Sequence, residues 1–128
     1  MKYAYPAILT EENGSVTVEI PDLGIHTYGD DLNDAIAMGS DALCLTLYDL
    51  EENQQDIPAA SDIRTLKCTG NNFATLIVCD TIEYRKFFNH KSVKKTLTLP
   101  AWLNTMAERA DVNFSVVLQE ALKRELKI

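Results

Sequence analysis

The sequence predicts an α+β protein in two units: a β-β-β-α-β domain over residues 1–88 and, after a linker at 89–91, a strand-helix-helix unit over 92–128. Three observations carry this. Apolar residues alternate with a period of two at Ser15–Ile20 and again at Lys94–Leu99, as in strands with one buried face. They recur every three or four residues from Asp31 to Leu50 and from Pro100 to Leu126, as on one stripe of a helix. Charge divides near the same boundary. Residues 1–90 hold five Lys/Arg against fifteen Asp/Glu, a net of −10, and residues 91–128 hold seven against four, a net of +3, which together give the −7 of the chain.

Tyr3–Leu9 is rich in aromatic, branched and aliphatic residues and reads as a strand, with Pro6 arguing for an edge position or a bulge because proline donates nothing to a ladder. Glu11-Glu12-Asn13-Gly14 reads as a turn, Asn-Gly being a strong hairpin signal. Ser15–Ile20 returns with Val16, Val18 and Ile20 toward a core and Thr17 and Glu19 outward. Pro21-Asp22 ends that strand, Leu23-Gly24 turns, and Ile25–Tyr28 makes a third short strand closed by Gly29. Asp31 then caps a helix with Asp34 three residues on, and Leu32, Ala35, Ile36, Ala42, Leu43 and Leu50 mark its expected buried face. Gly39 inside that helix costs about 1 kcal/mol relative to alanine, so it points to close packing against the sheet. Glu51–Ser61, polar and containing Pro58, reads as a surface loop. Phe73–Cys79 is a nearly continuous apolar run between Asn71-Asn72 and Asp80, which predicts a central strand. Ile82–Phe88 reads as a short helix, and composition and charge both change across the linker.

In the last unit Lys94, Thr96 and Thr98 lie on one side of the alternating stretch, and Lys95, Leu97 and Leu99 on the other. Pro100 stops the strand and is tolerated at a helix start; Leu103, Met106, Ala107 and Ala110 then form a helical stripe. Asn113 is a good N-cap for a second helix striped by Val117, Leu118, Ala121, Leu122 and Leu126. One strand and two short helices cannot bury enough apolar surface alone, and the strand has two unpaired edges. A second copy solves both problems. Antiparallel pairing about a two-fold axis puts Leu97, Leu99, Leu103, Met106, Val117, Leu118 and Leu122 in a shared dimer core. Lys94, Thr96 and Thr98 then line a two-stranded ribbon that fits the major groove.

This segment resembles a ribbon-helix-helix DNA-binding domain. The resemblance implies that Lys94, Thr96 and Thr98 contact bases, and that Asn113, Phe114 and Ser115 hold a phosphate at the start of the second helix. Free N–H groups and the helix dipole favour an anion there in any case. Lys95 departs from the pattern, since an inward position would prefer an apolar residue, and is expected at the frayed start of the ribbon.

The order YPAIL, Asn-Gly, VTVEIPDL, YGDDLNDAIAMGSDAL, IPAASDI resembles the amino-terminal domain of HicB antitoxins, a partial ribonuclease-H-like fold. Members of that family join this domain to a helix-turn-helix or a ribbon-helix-helix. The sequence departs at Leu23-Gly24-Ile25-His26, where many members have a longer turn. The resemblance implies an antitoxin that inhibits a HicA-type RNA-cleaving toxin and represses its own operon by binding operator DNA, as a homodimer or higher homo-oligomer. An acidic body suits a basic nuclease, and Glu19, Asp22 and Asp30, acidic and near strand ends, are the residues expected to face the toxin.

Other classes fit less well. A hydrophobic content of 46% is that of a globular protein, and with no apolar run of membrane-spanning length and no leader-like start, a cytoplasmic protein without membrane contact is expected. Cys44, Cys68 and Cys79 are odd in number and far apart, which predicts buried or idle thiols and neither a disulfide framework nor a zinc site. His26 and His90 lack ligand-spaced companions, so neither a metal nor another cofactor is expected. Glu19, Asp22, Asp30, Asp31, Asp34 and Asp80 could in number serve a metal-dependent nuclease, but caps and turns account for four of them, Asp22, Asp30, Asp31 and Asp34, and no enzyme is expected. The alternative is a ligand-responsive ribbon-helix-helix repressor with an amino-terminal sensor, which would need convergent polar ligands.

Overall fold

In the computed structural model, which describes residues 1–128, the chain divides into Met1–Lys91 and Ser92–Ile128. The first unit begins with a hairpin of β1 (Lys2–Glu12) and β2 (Ser15–Ile20). Asn13 at φ +49° and Gly14 at φ +82° join them, the two left-handed residues of a tight turn whose twist matches its strands. Then follow β3 (Ile25–Gly29), α1 (Leu32–Glu52), β4 (Asn72–Asp80) and α2 (Thr81–Phe88). The four strands form one antiparallel sheet in the order β3-β2-β1-β4.

Alternation decides which face is covered. Tyr5, Ala7, Leu9, Val16, Val18, Ile20, Ile25, Ile77 and Cys79 are buried with Ala35, Leu43 and Leu47 of α1. Thr17 and Glu19 point out as their spacing predicts. Gly39 lets α1 sit down on the sheet: a Cβ there would stand 3.2 Å from Val18 Cγ1 and 3.7 Å from Ile77 Cδ1. At Gly29 the approach is closer still, with a Cβ only 2.2 Å from Ala35 N, so the turn from β3 into α1 admits no side chain. Asp31 caps α1 by accepting from Asp34 N at 2.8 Å, and the Asp34 carboxylate accepts from Asp30 N at 2.8 Å.

Several expectations need correction. β4 is an edge strand and not a central one. Its apolar run is continuous because Ile77 and Cys79 face the core while Leu76 and Val78, on the other face, stay exposed. Conversely β1 is central, and Pro6 is accommodated within it. Thr81 N donates to Met1 O, so Met1 and Thr81 form a hydrogen-bonded pair, and by alternation the Pro6–Leu76 pair is one that exchanges no bonds. The other flank of Pro6 is free because pairing with β2 begins only at Ile8. The buried row of α1 is Ala35, Gly39, Leu43 and Leu47. Leu32 and Ile36 are exposed, since they belong to the neighbouring row with Ser40 and Cys44, which runs along the flank of the helix. Glu51 and Glu52 finish α1 and do not begin the loop. That loop is tied down: Asp22 accepts from Ser61 N at 2.9 Å and Ser61 Oγ at 2.5 Å, Tyr5 Oη donates to Pro58 O, and a 3-10 turn at Ile63–Thr65 lies against β1 and β4. Cys44 and Cys79 are joined as a disulfide, Cα–Cα 5.4 Å, because α1 crosses over β4 where spacing along the chain gave no hint of it; Cys68 stays free.

The second unit holds α3 (Ala101–Arg109) and α4 (Phe114–Leu126). Ser92–Leu99 joins no helix or ladder, so the strand that its alternation predicts is not formed in the single chain.

Leu47, fully buried, should lose about 2–5 kcal/mol of stability as Leu47→Ala, whereas Leu45→Ala on the exposed side should stay within about 0.5 kcal/mol. Urea unfolding followed by far-UV circular dichroism checks both.

Candidate functional site

In Ser92–Ile128 the apolar residues have nothing to cover them. Leu97, Leu99, Leu103, Met106, Val117 and Leu122 are exposed and Leu118 is half-buried, and neither α3 nor α4 contains a buried residue. Two helices of 9 and 13 residues are too short to bury each other's stripes. Lys94, Thr96 and Thr98 are exposed along the preceding stretch, and no ion pair in the chain involves Lys94 or Lys95. At the start of α4, Asn113 Oδ1 accepts from Val116 N at 3.2 Å. The N–H groups of Phe114 and Ser115 at that helix start have no partner within the helix, so they and the dipole leave an exposed anion-favouring end.

The carboxylates expected to face a toxin are dispersed. Glu19 is exposed and pairs in register with His26. Asp22, just past the same end of β2, already holds Ser61. Asp30 follows Gly29, which pairs with Val16 at the opposite end of β2. The other acidic candidates have structural duties too: Asp31 caps α1 and Asp80 caps α2 through Ile82 N at 3.0 Å. No three His, Cys, Asp or Glu side chains converge as metal ligands.

Chemistry gathers instead where α1 ends and α2 begins. Glu51 accepts from Tyr3 Oη, Thr81 Oγ1 and Arg85 Nη2, each at 3.1 Å, and Arg85 also pairs with Glu52. Burial pushes the Glu51 carboxyl up, but the bonds from Thr81, Arg85 and Tyr3 outweigh it and hold the group below its ordinary value. Arg85 lies 4.7 Å over the Tyr48 ring, and Tyr48, Tyr84, Phe88 and Phe87 stack in sequence with centroids 4.5–5.3 Å apart. Beside them a groove of about 820 Å³ runs between α2, Ser40–Cys44 of α1 and Val78–Asp80 of β4.

The model of the family described as "HicB_like antitoxin of bacterial toxin-antitoxin system" matches residues 5–121. The chain belongs to this family. No curated protein matches significantly. Among solved structures, the HicB-like chain is similar to one from the "Toxin-Antitoxin complex from Streptococcus pneumoniae", with 27% identity, TM-score 0.63, and 98% of this chain and 99% of that one covered. It also shares the fold of the Burkholderia pseudomallei antitoxin HicB, at 18% identity and TM-score 0.54 over 97% and 96% of the two chains. A family of antitoxins points to a regulatory role and not a catalytic one. No helix of this HicB-like chain is long and apolar enough to cross a membrane.

Sequence reasoning missed the Glu51 network and the aromatic row. Their only sequence signal is the spacing of Tyr84, Phe87 and Phe88, which places three aromatics on one short helix. Glu51→Gln should cost about 1–3 kcal/mol at neutral pH, since the amide keeps only one of the two accepting oxygens and removes the charge that Arg85 pairs with. Because the folded carboxyl titrates below its unfolded value, its contribution is present above the unfolded pKa and is lost as pH falls through the folded one. The gap between wild type and variant should therefore close in acid, as read by urea unfolding at a series of pH values.

Proposed function

We propose that this chain is the antitoxin of a HicA-type RNA-cleaving toxin and the repressor of the operon that encodes both. The observation that carries the reading is the family match, which spans residues 5–121 and so runs through both units. In this reading residues 1–88 form a partial ribonuclease-H-like domain that neutralises the toxin, residues 89–91 are a linker, and residues 92–128 are a ribbon-helix-helix that dimerises and binds operator DNA. The chain works without cofactor or catalysis, in the cytoplasm, where thiol reductants can open the Cys44–Cys79 bond.

The exposed apolar rows of α3 and α4 support the dimer. Pairing two Ser92–Leu99 stretches would cover Leu97, Leu99, Leu103, Met106, Val117, Leu118 and Leu122 and give each strand a ladder along one edge. Lys94, Thr96 and Thr98 would then face bases, with Asn113, Phe114 and Ser115 on the flanking phosphates. The charge division supports the sharing of labour: the basic end is drawn to DNA, and the acidic body, which DNA repels, is drawn to a basic nuclease. Glu19 and Asp30 are exposed carboxylates open to that contact; Asp22, the third residue of the reading, would have to make it while it holds Ser61.

Co-expression with the protein encoded by the adjacent short reading frame tests the antitoxin half: that protein should arrest growth alone, and this chain should restore it and co-purify with it. Absence of toxicity and of binding would remove the reading. For the DNA half, Lys94→Ala with Thr96→Ala should weaken operator binding by about 1–3 kcal/mol per lost base contact while leaving the oligomer intact, as measured by fluorescence anisotropy and light scattering. Leu97→Asp should abolish dimer and DNA binding together, because it places an unpaired charge in the shared core.

A further inference from the structure

The outer edge of β4 is open. Because Met1 and Thr81 form a hydrogen-bonded pair, alternation turns the backbone groups of Val78, Leu76 and Ala74 away from β1. Ser40 Oγ donates to Val78 O at 2.9 Å and satisfies one of these groups. Ala74 and Leu76 bond to nothing on that side. Natural edges are usually blunted by lysine, proline or a bulge, and this one carries Leu76, 51% exposed, and Val78, 63% exposed. Where the strand passes into α2, the groove continues the apolar surface through Tyr84, Phe87, 75% exposed, and Phe88.

Charge selects the occupant. Asp41, Asp80 and Glu83 line the groove with Lys2 as its one cation, on a body whose first 90 residues carry a net −10. A second copy meeting this edge across a two-fold axis would bring the same carboxylates and the same net charge against it. A basic partner meets complementary charge, and an open edge selects an extended segment. We infer that the edge of β4, with the groove between α1 and α2, docks an extended, basic, apolar-anchored segment of the toxin. The partner's main chain continues the sheet at Ala74 and Leu76, its apolar side chains sit on Val78 and Phe87, and its cations meet Asp41 and Glu83. The inference rests on the antitoxin reading and moves the contact from Glu19, Asp22 and Asp30 to the opposite edge of the sheet, since β3 and β2 lie on the far side of β1.

The test uses the full chain carrying Val78→Lys and Phe87→Lys, two exposed positions whose change leaves the core untouched. Its binding to the basic protein encoded beside it is measured by biolayer interferometry, and its own size by light scattering. The expected result is a loss of toxin affinity of about tenfold or more with the oligomer and circular dichroism spectrum of wild type. Unchanged toxin affinity while wild type binds would overturn the docking surface and leave the antitoxin reading standing. A smaller oligomer with toxin affinity retained would overturn it in favour of self-association through β4. If wild type itself binds no toxin, the antitoxin reading fails first and the docking surface falls with it. Should the double variant not fold, Leu76→Lys alone decides between the same outcomes.

Discussion

The amino-terminal unit depends on how closely α1 lies on its sheet. Gly39 removes the side chain that would otherwise hold the helix off Val18 and Ile77, and Gly29 lets the backbone of Ala35 pass over the end of β3. With the helix seated, Leu43 and Leu47 reach the core, Cys44 reaches Cys79, and Ser40 reaches the carbonyl of Val78. The last turn then delivers Glu51 to Tyr3, Thr81 and Arg85. A helix raised by even a methyl group would lose these contacts together, because close-packed interiors transmit strain instead of absorbing it.

What could be read from the sequence was what local periodicity controls. Val16, Val18 and Ile20 are buried as their alternation predicts, and Asn13-Gly14 turns where it must. The Asp31 cap was equally plain, since it needs only two residues. What could not be read depends on which element lies above which. An apolar run such as Phe73–Cys79 looks the same whether its second face is covered or open, so it predicts a central strand where the sheet has an edge. The meeting of Cys44 and Cys79 follows from the crossing of α1 over β4, which no spacing encodes. Asp22 reads in the sequence as a turn residue and a toxin-facing carboxylate, and nothing near it in the chain signals that Ser61, 39 residues on, donates to it.

The two units face opposite electrostatic problems. The acidic body has a complete core and an unused edge; the basic end has stripes and no core. Each is unfinished in its own way. The body lacks main-chain partners along its edge strands, β4 among them, which a peptide segment can supply. The last 37 residues lack buried apolar volume, which only folded helices can supply. That difference in what is missing argues for different partners at the two ends more directly than charge alone.

The strand order also sets a schedule. β1 and β2 are neighbours in sequence and can pair as soon as both exist, but the other side of β1 waits for β4, and Met1 waits for Thr81, 80 positions later. At ordinary rates of translation that wait is about 4–16 s. Throughout it a nascent hairpin carries Tyr5, Ala7 and Leu9 beside an unfilled edge, exposed to anything else leaving the ribosome. The sheet is complete only when β4 arrives, ahead of residues 92–128 in the chain, so the acidic body can form before the basic unit is free to fold.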